Sequence, residues 1–122
     1  MNEQKKNALI EAGVELDEAI HRFMGMEDMY EKFLLRYTED NCLEDMKKAL
    51  EDRDVESIFK SAHYMKGLAA NLELTPVKEQ AHIVTEKTRG RESLTDEEFL
   101  ELEELIEELS DRDKTMTEVI KQ

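Results

Sequence analysis

Cysteine, proline, glycine and tryptophan are nearly missing from this chain: its 122 residues include one Cys, one Pro, four Gly and no Trp. The lone Cys42 excludes an internal disulfide and predicts a reducing compartment. Scarce Gly and Pro leave few sharp turns, and no extended run alternates β-branched with polar residues, which argues against a sheet protein. No apolar stretch is long enough to span a bilayer. Met1–Gly13 (MNEQKKNALIEAG) lacks the apolar centre of a signal peptide. Basic residues are also short: 17 Lys and Arg stand against 31 Asp and Glu, a net charge of −14. Nucleic acid and anionic membrane are both held by clustered Lys and Arg, so neither is an expected partner. A cytoplasmic chain that meets another protein is the expectation.

What is present is helix-forming. Leu, Glu, Lys, Ala and Met dominate, and these side chains lose little rotamer freedom in a helix. The length suits one domain, residues 1–122, with little room for a second. Apolar spacing predicts a short helix over Asn2–Ala12 that stops at Gly13, then a second over Val14–Met24 that ends at Gly25. Residues Glu27 to about Leu50 read as one long helix, with a kink or a frayed turn where the apolar register slips at Asp40–Cys42. Asp54 is the expected N-cap of a helix whose stripe is Val55, Ile58, Phe59, Ala62, Met65, Ala69 and Leu72. Thr75 is the expected N-cap of the next, with Pro76 at its first position and Val77, Ala81, Val84 and Thr88 facing inward. Thr88–Ser93 forms a loop, and Thr95 with Glu98 makes a capping box. The last helix turns Phe99, Leu102, Ile106, Leu109, Met116 and Ile120 inward. Asp113 falls on that stripe, so the final turns are expected to peel from the core. The sum is an all-α, up-and-down antiparallel four-helix bundle preceded by one or two short helices.

One histidine stands out. At about 100° per residue, His63 lies roughly 130° from the centre of its helix's apolar stripe and so points to solvent or to the bundle's edge. The plain alternative is a solvated surface histidine. Its neighbours favour more than that. Gly67 sits one turn on, and a glycine inside a helix costs about 1 kcal/mol relative to alanine. Ala70 lies a turn beyond, so side chains that would crowd the imidazole are trimmed away. Lys66 at i+3 can offset negative charge on anything bonded to the ring. Imidazole is a suitable carrier because it is nucleophilic near neutral pH. The arrangement suits a phosphohistidine site.

The segment Ser61–Leu74 (SAHYMKGLAANLEL) resembles the signature of histidine-containing phosphotransfer (HPt) domains, His-x-Leu-Lys-Gly followed by small residues, with Met65 at the Leu position. Gly13–Tyr37 (GVELDEAIHRFMGMEDMYEKFLLRY) is similar to the family's first helix, glycine-containing turn and second helix. The resemblance covers roughly residues 13–121. It implies a relay module of two-component signalling. His63 takes a phosphoryl group from the aspartate of one receiver domain and passes it to another, Lys66 stabilises the phosphoryl oxygens, and Gly67 clears the approach. Partners are response-regulator receivers and a hybrid histidine kinase. The chain has no kinase activity or cofactor of its own, and the receiver brings the divalent metal. It lacks a Gly-rich nucleotide loop and the length for an ATP-binding domain. Folding the Pro76 helix back places Thr85 level with His63, where the family can hydrogen-bond the imidazole, and Arg89 matches a basic position near the site. Lys60, Lys66, Lys87, Arg89 and Arg91 are expected on the histidine side, to ease docking on an acidic receiver. Phe59, Lys60, Ala70 and Lys87 are the docking candidates, although Phe59 and Ala62 also read as core. Glu73 departs from the family, which usually places glycine at that helix end.

Two other readings stand beside this one. A degenerate bundle could bind receivers without transferring phosphate. A metal-binding bundle could use Glu18-x-x-His21 and Glu79-x-x-His82, although both histidines lie roughly 140° from their apolar stripes. Cys42 reads as a partly buried structural thiol and Glu97–Glu108 as a solvated face. Met24, Met26 and Met29 read as filler beneath the first helix or as receiver contacts. The initiating Met and the lack of a linker point to a free protein, and a monomer is expected because a relay needs its histidine face free.

Overall fold

A computed structural model describes all residues, 1–122. The chain is all-helical, with seven helices: α1 (Glu3–Glu11), α2 (Leu16–Arg22), α3 (Glu27–Tyr37), α4 (Cys42–Glu51), α5 (Val55–Asn71), α6 (Thr75–Thr88) and α7 (Asp96–Lys121). α5 packs on α4 to one side and on α6 to the other. α6 packs in turn on α7, which also meets α1, α3 and α4. No helix is long and apolar enough to cross a membrane.

Helix ends follow local chemistry. The side chains of Asn2, Asp54 and Thr95 each accept a backbone N–H in the first turn of α1, α5 and α7, and Thr95 and Glu98 form the full capping box. Four helices stop in the same way: the residue after the C-cap turns left-handed, and the next N–H bonds back to a carbonyl five residues earlier. These bonds are Val14 to Leu9, Gly25 to Ile20, Asp54 to Ala49 and Leu74 to Ala69. Glycine fills the left-handed position once, at Gly13; Met24, Arg53 and Glu73 fill it elsewhere with φ of 56°, 52° and 57°. A non-glycine residue there costs roughly 1–2 kcal/mol. At Glu73 a 2.5 Å ion pair with Arg22 of α2 compensates, and the Glu73 carbonyl accepts from the Glu15 N–H. Glu73, where the resemblance implies a glycine, therefore leaves the helix end in the conformation a glycine would give.

The core is one cluster, built from the predicted stripes of α5, α6 and α7 with Leu9, Leu16, Tyr30, Leu34 and Met46, except that Phe59, expected on the α5 stripe, is half-buried and lies outside it. Several expectations change. The helix expected over 27–50, with a kink or frayed turn inside it, is two helices: residues 38–41 separate α3 from α4, and the Asp40 carboxylate accepts the Cys42 N–H at 2.8 Å. Thr75 is the first residue of α6 and caps nothing. Leu74 stands before it, and the buried Thr75 hydroxyl has no hydrogen-bond partner. Met24, Met26 and Met29 are exposed and fill no gap under the first helix. α7 does not peel away, because Asp113 accepts a hydrogen bond from the buried Tyr37 hydroxyl and Met116 and Ile120 stay buried beyond it. Burial pushes the Asp113 carboxyl up, and the Tyr37 bond opposes this. The charge on the stripe is accommodated by one polar partner.

Candidate functional site

α5 leaves the Asp54 cap and runs seventeen residues, long enough to present both a buried and an open face. Ala62 and Met65 are buried, while His63, Tyr64 and Gly67 are exposed, as helical spacing requires. The His63 imidazole stacks on the half-buried Phe59 ring one turn earlier, with centroids 5.6 Å apart and planes only 10° from parallel. On the other side, a Cβ built at Gly67 would meet no atom within 4 Å. The ring is thus backed on one side and open on the other. Lys66 is half-buried and has no carboxylate within ion-pairing distance. Ala70 is half-buried and adds little bulk.

α6 supplies the second wall. Arg89, just past its last residue, lies over the Phe59 ring with its guanidinium carbon 5.2 Å from the centroid. Its position is fixed by Glu86, 3.1 Å away. The Arg89 hydrogen bond, then the charges of Arg89, His82 and Lys66, hold the Glu86 carboxyl below the usual carboxylate range. His82, Glu86 and Arg89 therefore form the α6 edge that faces Lys66. Glu86 had no sequence-level role, and His82 was weighed only as a metal ligand. Their spacing of four and three residues, on one face, was the available signal.

Other candidates fall elsewhere. Thr85 is fully buried, and its hydroxyl donates to the Ala81 carbonyl at 2.7 Å, so its proton is committed within α6 and not to the imidazole. Lys60 pairs with Glu56 at 3.2 Å and, with Tyr64, flanks the α4 side, where the Tyr64 hydroxyl donates to Asp40 at 2.9 Å. Lys87 reaches Glu101 on α7 at 3.3 Å. It lies seven residues after Gln80, which also bonds to α7, so that face turns from His63. Arg91 pairs with Glu98 at the start of α7. The expected five-residue basic cluster thus divides, and Lys66 and Arg89 are the two that share the His63 edge. Glu18, His21, Glu79 and His82 are all exposed, and no group of three or more His, Cys, Asp or Glu side chains converges as a metal site would require.

No curated protein and no solved structure matches the chain. The sequence model of the family described as Hpt domain matches residues 28–112, from the start of α3 to well into α7, so α1 and α2 lie outside the matched span. An exposed histidine within a His-x-x-Lys-Gly segment on an all-helical scaffold, and that match over most of the chain, lead to one assignment: the chain belongs to the Hpt domain family, helical phosphocarrier modules of phosphorelays.

Proposed function

We propose that this chain carries phosphoryl groups on His63 within a two-component phosphorelay, between response-regulator receiver domains served by a hybrid histidine kinase. The observation that carries the reading is the exposed His63 imidazole beside an unpaired Lys66 and the open space at Gly67. The scaffold is a single-domain, up-and-down antiparallel four-helix bundle of the α3–α4 arm, α5, α6 and α7. Contacts in opposed numbering support it: Tyr30 to Leu72 and Asp40 to Tyr64 between the arm and α5, and Pro76 to Arg112 and Lys87 to Glu101 between α6 and α7. The protein works as a monomer in the cytoplasm, because a relay needs its histidine face free.

In the forward step the unprotonated ring nitrogen of His63 attacks phosphorus on a receiver's aspartyl phosphate. A P–N bond forms as the acyl P–O bond breaks, and the aspartate carboxylate leaves. The Lys66 ammonium offsets the oxyanion charge, and Gly67 admits the receiver's loop. The onward step is the reverse, with a second aspartate as nucleophile. Metal and most of the transition-state electrostatics come from the receiver, and this chain contributes a positioned nucleophile and a docking face with Ala70 and Lys66 at its centre. Lys60 adds charge at the flank.

The test is transfer from a phosphorylated receiver, profiled over the receivers of the source organism. His63→Gln is expected to abolish labelling while circular dichroism and Tm stay at wild-type values. Labelling of His63→Gln, or no labelling of wild type by any receiver, sinks the reading. Receiver binding without transfer identifies the degenerate adaptor instead.

A further inference from the structure

The imidazole of His63 does not stand alone. Its plane is 10° from that of Phe59, with centroids 5.6 Å apart. Parallel rings in direct face-to-face contact would lie closer, so this pair is slid sideways into the offset arrangement that aromatic quadrupoles prefer. Helical geometry explains the choice of partner. Side chains on a helix lean toward its N-terminus, so a ring at position 63 lies back over position 59. Phe59 is held in turn from α6, where Arg89 covers the ring at 5.2 Å and is anchored by Glu86 at 3.1 Å. Four side chains from two helices thus form a continuous brace, Glu86–Arg89–Phe59–His63, that ends on the imidazole. The opposite side, toward Gly67, is empty.

We infer that Phe59 is a positioning residue for His63: it holds the imidazole stacked and turned toward the Gly67 opening, and Arg89 steadies Phe59 from α6. The inference rests on His63 being the phosphoacceptor, and it gives Phe59 a role other than receiver docking. A ring that is already oriented loses little freedom when an incoming phosphoryl group must meet one nitrogen along a fixed line. Without the stack, the imidazole visits other rotamers and each encounter is less productive.

Phe59→Leu keeps an apolar side chain of similar reach and removes the ring. It is expected to slow single-turnover transfer about tenfold while KM for the phosphorylated receiver stays unchanged. In NMR spectra of the unphosphorylated protein, the His63 ring protons are expected to move downfield as the ring current of Phe59 is lost. Phe59→Tyr restores both readouts. Arg89→Gln, an exposed change outside the core, is expected to move both in the same direction by a smaller amount, and it probes the brace should Phe59→Leu fold poorly. The inference is overturned if Phe59→Leu and Arg89→Gln leave the His63 ring shifts at wild-type values. It is equally overturned if Phe59→Leu raises KM and leaves the rate constant alone, which marks Phe59 as a docking contact. The phosphoacceptor reading fails separately: His63→Gln would still be labelled, whatever the ring shifts of the other variants show.

Discussion

The two ends of the α5–α6 pair are held by different physics. Where α5 turns into α6, the chain is closed by contact: Leu72 and Leu74 are buried, Val14 makes a lone antiparallel bridge to Leu74, and Gly13 lies against Pro76. At the other end, the start of α5 and the loop after α6 meet α7 through exposed charge: Arg53 with Asp96, and Arg91 with Glu98. Packing at the first end, which also holds the Arg22–Glu73 ion pair, is unforgiving, whereas exposed ion pairs at the second contribute little and respond to salt and acid. His63 sits between them, on the stretch where α5 keeps neither a large side chain nor a covering neighbour at Gly67.

Two glycines sharpen that contrast. Gly13 has φ of 98°, and a Cβ there would approach Pro76 Cγ to 2.7 Å, against a ring that cannot fold aside. Gly13→Ala should therefore combine backbone strain with overpacking and cost about 2–4 kcal/mol, read as a lower denaturation midpoint at unchanged m-value. Gly67 presents the opposite case, with helical backbone and open space. Gly67→Ala should raise stability by about 1 kcal/mol and yet slow phosphotransfer about tenfold. Gains in Tm and in transfer rate together would show that the opening at Gly67 has no use.

The smallest effect belongs to the charged end. The Arg91 hydrogen bond, followed by the Thr95 N–H, holds the Glu98 carboxyl down at about 2, against an ordinary value of 4.5. A depressed carboxyl adds stability that is fully present above its unfolded value and disappears as pH falls through its folded value. Arg91→Gln should therefore lower Tm slightly at neutral pH, with the gap to wild type closing as pH falls from 4.5 to 2. High salt should also shrink the gap. A gap that widens in acid would assign the end's stability to something other than Glu98.

Much of the fold was legible because helices here are written in local terms. The α5, α6 and α7 stripes, the Asp54 cap and the Thr95–Glu98 box needed only spacing and residue type. The break between α3 and α4 was visible as a slip in register but not as a break. Asp40 makes it one by capping Cys42 while receiving Tyr64 from 24 residues away. Asp113 misled for a similar reason, since its partner Tyr37 lies 76 residues earlier. Lys87 looked available because a sequence shows that a lysine is on a helix but not which neighbouring helix that face meets.

By itself the sequence determined the all-helical class, the single exposed-histidine motif with Lys66 and Gly67, and the outward direction of His63. All of these follow from composition and the 100° step between residues. The tertiary structure decided the surroundings of that histidine: Arg89 laid across Phe59, Glu86 beside Arg89, Lys60 left on the α4 flank, Lys87 turned toward α7, and the Thr85 hydroxyl closed on its own helix. Helical periodicity sets directions within one rod, whereas neighbours across rods depend on how whole faces pack, and no local window of residues contains that information.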